Sequence, residues 1–149
     1  MALSYFERRI IMVVKKIKYT DFNDVEREEE FMFNLTEAEI TEMELMTDGG
    51  LSDSIKKIIS AQDTPEIIKT FKMLLLKSYG EKSADGRRFI KSEELTEAFT
   101  QTNAYSQFFM ELATDDKAAI AFINGIIPDS MRERVAEDGS NASDLAPAN

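Results

Sequence analysis

Val13-Val14-Lys15-Lys16-Ile17-Lys18-Tyr19, then the polar segment Thr20-Asp21-Phe22-Asn23-Asp24-Val25-Glu26-Arg27, then Glu28-Glu29-Glu30-Phe31-Met32-Phe33-Asn34-Leu35, form the stretch on which the fold turns. In the first run Val13, Lys15, Ile17 and Tyr19 fall on one side and Val14, Lys16 and Lys18 on the other. A period of two belongs to a strand with one drier face. The last run resumes the alternation through Glu29, Phe31, Phe33 and Leu35, and the short polar side chains between the two favour a turn. The stretch therefore reads as a β-hairpin. Two strands alone are marginal in water, so this hairpin is expected to pack on helices or to pair with a strand of a partner.

Directly afterwards the period changes to three and four. Thr36 and Glu39 have capping-box spacing, and Leu35 and Ile40 are placed as a hydrophobic staple. The helix they start passes Glu42 and Leu45 and is expected to stop at Asp48-Gly49-Gly50, where glycine adopts a left-handed cap easily. Ser52 opens a second helix with a narrow stripe of Ile55, Ile58 and Ile59. Thr64-Pro65 starts a third, with proline at the first helical position. There Ile67, Ile68, Phe71, Leu74 and Leu75 are expected to form the central core, Met73 and Leu76 widen the apolar face, and Gly80 closes the helix.

Residues 81–91 read as a polar loop turning at Asp85-Gly86. Ser92 caps a short helix through Leu95 and Phe99, and Thr102 or Asn103 starts another bearing Tyr105, Phe108, Phe109 and Leu112. Thr114-Asp115-Asp116 caps the last, which runs through Ala118 to Ile123 and stops between Gly125 and Pro128. The expected architecture is a single α+β domain, mainly helical, with an N-terminal β-hairpin at 13–35 followed by about five short helices. Residues 1–12 read as an N-terminal extension, with Met12 an alternative start, and residues 13–130 as the domain. Residues 131–149 read as a polar, largely disordered C-terminal tail, because Asp138 to Asn149 have little to bury.

Composition removes whole classes of chemistry. The chain has 149 residues and a formal charge of −10, and it contains neither Cys nor His. Disulfides, thiol nucleophiles, histidine acid–base catalysis and the common zinc sites are excluded. The acidity argues against a protein held to nucleic acid by phosphate neutralisation. No apolar run approaches the roughly 18 residues of a membrane span, and the opening residues lack the order of a signal peptide, so a soluble protein that stays where it is made is expected. Asp115 and Asp116 fit a helix cap better than a cation site. Asp85 with Arg87 and Arg88 fits a charged turn better than a phosphate grip, and Ser83 and Ser92 have no local base. No catalytic residue, metal ligand or cofactor is expected.

The charge is unevenly spread. Residues 21–47 hold ten acids and one base, whereas the 81–91 loop holds Lys82, Arg87, Arg88 and Lys91 against Glu81 and Asp85. Such a bipolar chain suits head-to-tail association of copies, or receipt of a basic segment of another protein on the acidic side. Phe108-Phe109-Met110 and Ile120 to Ile127 offer more apolar surface than one amphipathic stripe requires, which points to a partner or another copy. The candidate partner-binding residues are therefore Glu37, Glu39, Glu42, Arg87, Arg88, Phe108 and Phe109.

Several segments together carry a family likeness: Lys15-Lys16-Ile17-Lys18-Tyr19-Thr20-Asp21-Phe22, Phe31 to Glu39, Lys77 to Phe89, Phe109 to Asp115, and Phe122-Ile123-Asn124-Gly125-Ile126-Ile127-Pro128. Over roughly residues 13–130 the chain resembles the tail assembly chaperones of siphophages infecting Gram-positive bacteria. The resemblance implies a non-enzymatic protein of the host cell cytoplasm, absent from the mature virion, that brings together the tape measure protein and the major tail protein. It also implies several copies, with a longer form made by frameshifting, and no direct contact with nucleic acid or membrane. The alternative is an acidic phage-encoded inhibitor that occupies the nucleic-acid groove of a host nuclease or defence protein.

Overall fold

The computed structural model describes residues 12–46, 50–60, 65–129, 131 and 132. The hairpin is present: β1 (Val13–Thr20) and β2 (Glu26–Phe33) pair antiparallel along their whole length, from Val13↔Phe33 to Thr20↔Glu26. Asp21 closes its tip. One carboxylate oxygen accepts the amides of Asn23 and Val25 at 2.8 and 3.0 Å, the other accepts Arg27 Nε at 2.6 Å, and Asp24 adopts a left-handed φ of 61°. An aspartate that bonds its own following backbone substitutes for turn hydrogen bonds and lets the strand resume at once. β2 therefore begins at Glu26, earlier than the alternation from Glu28 suggests.

Six helices follow among the described residues: α1 (Glu37–Met46), α2 (Leu51–Ile59), α3 (Pro65–Ser78), α4 (Glu93–Thr100), α5 (Asn103–Thr114) and α6 (Asp116–Ile126). Their starts follow the side-chain chemistry. Thr36 Oγ1 accepts the Glu39 amide at 3.2 Å while Glu39 accepts the Thr36 amide at 2.9 Å, the reciprocal capping box. Ser92, Thr102 and Asp115 likewise accept amides from Leu95, Tyr105 and both Lys117 and Ala118. Helix α2 opens at Leu51, one residue before Ser52, because Gly50 supplies the left-handed entry at φ 88° and Leu51 is fully buried. The expected stop at Asp48-Gly49, the Thr64 cap, the Ile59 and Ile67 side chains, residues 1–11 of the extension and residues 133–149 of the tail lie outside the described residues, while Met131, read as the first residue of that polar tail, is instead fully buried in the core.

The turn at Asp85-Gly86 is present, but residues 81–91 are not a loop throughout. Helix α3 ends at Ser78, and Tyr79–Lys82 (β3) with Phe89–Ile90 (β4) extend the hairpin into an antiparallel sheet of order β1-β2-β3-β4. Gly80 consequently has a role other than helix stop. A β-carbon there would lie 2.7 Å from the Phe89 ring and 2.8 Å from the Ile90 carbonyl, so glycine admits close approach of β4. Strands this short carry too few residues for their alternation to be read. The support that two strands require thus comes from the chain itself.

The helices cover one face of the sheet. Phe33 is fully buried at the centre, with the rings of Tyr79, Phe99, Phe108 and Phe122 at centroid distances of 5.2 to 5.9 Å. Phe71, Leu74 and Leu75 join this core, but Ile68 is 53% exposed. It stands in the first turn of α3, and a three-and-four repeat fixes which face is apolar without fixing how far along the helix that face is covered. Helix α6 is apolar nearly all round because it is covered on several sides, by β1, α2 and α5, and Phe122, Ile123, Ile126 and Ile127 are all buried. The apolar excess from Tyr105 to Ile127 is therefore mostly core.

Candidate functional site

Helices α3 and α4 turn faces of different chemistry toward a shared groove of about 690 Å³. Helix α4 buries Phe99 and half-buries Leu95, which leaves Glu93, Thr96, Glu97 and Thr100, spaced three and four apart, along one wall. From α3 the residues that widen its apolar face, Met73 and Leu76, form the opposite wall with Lys77, and Tyr79 lies at the base. The Tyr79 ring stacks on Phe99 at 4.2 Å, and burial, followed by the Glu81 and Glu29 charges, pushes its phenol pKa up, so it remains neutral. An apolar wall facing small hydroxyl side chains, with carboxylates and ammonium groups around them, suits an amphipathic helix.

One end of the groove is fixed by Lys91. Its ammonium group donates to Glu39 Oε2 and to the Asn34 carbonyl, both at 2.7 Å, tying the start of α1 to the segment before α4. Burial is the largest influence on the Glu39 carboxyl and pushes it up, but the hydrogen bonds from Lys91 and Thr36 together with the Lys91 charge outweigh this and hold the pKa below the usual range. Glu39 is thus both cap and ion-pair partner.

The other candidates are dispersed. Glu37 and Glu42 stand on the exposed side of α1, and Arg87 and Arg88 are exposed at the β3–β4 turn. That turn is built by Asp85, which accepts the Arg87 amide at 3.0 Å and the Ser83 hydroxyl at 2.7 Å; these two bonds, in that order, lower its pKa. Phe108 belongs to the core at 3% exposure and Phe109 packs against it, while the next residue, Met110, is 53% exposed. Met73, Leu76, Thr96 and Lys91 complete the groove and escape sequence reasoning as a set. Their signal is the widened face of α3, which does not say what lies opposite.

Nor is the acidic hairpin a bare row of carboxylates. The register places Lys16 and Lys18 beside it, and both reach Glu28, at 3.5 and 3.4 Å, while Arg27 pairs with Asp21 and with Glu29. Counted over 13–47, four bases now stand against ten acids. The basic turn is in the same sheet rather than at an opposite pole, with β3 beside β2.

Among the described residues no group of three or more acidic side chains converges to hold a metal ion, and no helix is long and apolar enough to cross a membrane. No curated protein and no solved structure gives a match to the chain. A family model does: the one described as phage tail assembly chaperone matches residues 12–148, which includes every described strand and helix. By that match, over nearly the whole sequence, the chain belongs to the phage tail assembly chaperone family.

Proposed function

We propose that the protein is a non-enzymatic chaperone of tail morphogenesis that holds a helical segment of the tape measure protein in the α3–α4 groove and helps to recruit the major tail protein. The observation that carries this reading is the groove itself, whose Met73–Leu76 wall is one turn of helix long and faces Thr96 and Thr100. Apolar burial supplies affinity there, and the exposed charges, Glu37 and Glu42 on α1 and Arg87 and Arg88 at the turn, set encounter and specificity. The protein works in the host cell cytoplasm as several copies, alongside a longer frameshifted form, and does not enter the mature virion. An inhibitor that imitates nucleic acid has less support, since Lys16 and Lys18 interrupt the carboxylates it would present.

Coexpression with the tape measure candidate encoded downstream, followed by affinity capture and light scattering, tests the reading. The unmodified chain should capture and solubilise that candidate. Met73→Glu, and on the opposite wall Thr96→Arg, should abolish capture with unchanged far-ultraviolet circular dichroism. Capture unaffected by both substitutions would remove the groove from the account. Failure of the unmodified chain at low and moderate salt would remove the chaperone assignment.

A further inference from the structure

β1 and β2 pair along eight residues, but β2 and β3 pair only at Met32↔Gly80 and Phe33↔Tyr79. Among the described residues, no strand neighbours the second edge of β2 upstream of Met32. The register identifies the backbone groups that stand on it. Lys18 and Thr20 direct their carbonyls away from β2, toward the side-chain amides of Gln107 and Asn103 at 2.5 and 2.9 Å. The pairs Lys18↔Glu28 and Thr20↔Glu26 are therefore the non-hydrogen-bonded kind, in which both partners turn their N–H and C=O outward. Glu26, Glu28 and Glu30 thus present outward backbone groups in phase with Met32, whose own face Gly80. Among the described residues no further backbone group bonds those of the three glutamates.

The two edges of the hairpin are treated differently. Side chains of α5 occupy the β1 edge, while among the described residues no strand or hydrogen-bonding side chain covers the β2 edge, which ends in a recess of about 470 Å³ where Phe31 and Tyr79 lie between β2 and β3. We propose that this edge receives an extended basic segment of another protein as an added strand, with lysine or arginine alternating with apolar residues. Glu26 to Glu30 offer room for about five residues, roughly 17 Å of strand. On the outer face of the sheet Glu28 is answered by Lys16 and Lys18, and no described ion pair engages Glu26 or Glu30, so cationic side chains of the incoming strand meet unneutralised carboxylates. Its alternate side chains turn toward Phe31. A second copy is a poor occupant, because β2 against β2 opposes glutamate to glutamate and the β1 edge is already covered. The inference stands apart from the groove and does not rest on it.

An acetylated, amidated peptide alternating lysine with valine tests it, with amide exchange read residue by residue in the full chain. At saturation the Glu26, Glu28 and Glu30 amides should slow by about tenfold or more, as amides do when they enter a ladder, while those of Arg27 and Glu29, already directed at β1, stay unchanged. The same peptide methylated on alternate backbone nitrogens keeps its charge and should lose both binding and protection. The double variant Glu26→Gln, Glu30→Gln should weaken binding and flatten its salt dependence. Equal binding of the methylated peptide without protection would show charge attraction alone and overturn the added strand. Absence of binding by the unmethylated peptide would overturn it too, leaving the glutamates as a guard against strand pairing. Equal binding of a peptide alternating glutamate with valine would overturn the basic specificity.

Discussion

Gly125 of α6 lies so close to Val13 at the start of β1 that a β-carbon at 125 would stand 2.6 Å from the valine Cγ2. A glycine inside a helix forfeits about 1 kcal/mol of helix propensity relative to alanine, so this one is retained for contact. Gly125→Ala should destabilise the domain by about 1–3 kcal/mol despite the better helix former, because the β-branched valine is stiff at χ1 and yields only at a cost. Urea denaturation of that variant and of Gly125→Ala with Val13→Ala checks the cause. The double variant should recover part of the loss, since the two sites are in contact.

Phe33 is the residue whose truncation the core can least absorb. Four aromatic rings surround it within 6 Å, whereas Phe71 meets Phe109 and Phe122 at 6.4 and 6.5 Å and is 7% exposed. Phe33→Ala and Phe71→Ala should each cost about 3–5 kcal/mol, with Phe33 the greater, because the four rings around it are held by four different elements, Tyr79 on β3, Phe99 on α4, Phe108 on α5 and Phe122 on α6, and cannot fill its cavity without moving those elements together. Equilibrium unfolding of the two variants ranks them directly.

Glu39 should make stability fall in acid. Its folded pKa lies below the ordinary value of 4.5, so the folded state favours the charged form. The contribution is therefore complete above the ordinary carboxyl range and is lost as pH falls through the depressed folded pKa. Near neutral pH, Glu39→Ala should cost about 1 kcal/mol, a figure that allows for the 34% of the side chain left in solvent. Unfolding free energies measured at neutral and acid pH should converge for the two proteins at the acid end.

Asn103 and Gln107 should protect the β1 edge. Each donates to a carbonyl that would otherwise face solvent, and Lys15 bonds Glu111 one turn further along α5 at 2.9 Å. Replacing either amide by alanine should cost about 0.5–1.5 kcal/mol. The double replacement should also raise concentration-dependent association by light scattering, because it opens a long strand edge.

The sequence by itself determined what depends on near neighbours. The alternation from Val13 to Tyr19 made a strand because side chains of a strand alternate faces, and the Thr36–Glu39 box, Ser92, Thr102 and Asp115 started helices because their oxygens reach amides two or three residues away. The α+β hairpin-and-helices architecture was legible for that reason, and Ile17, Phe33 and Leu75 were legible as apolar faces. Tertiary structure alone decided what joins distant residues. Nothing near Gly80 announces that Phe89 will lie against it, and nothing in the Phe108 neighbourhood separates a core ring from an exposed one until Phe33 and Phe122 close around it. Lys91 meets Glu39 from 52 residues away, which places one end of the groove where no local spacing could. Helix period fixes the direction of a side chain; what it meets there is set by the chain elsewhere, and the groove, the covered β1 edge and the open β2 edge all arise at that second step.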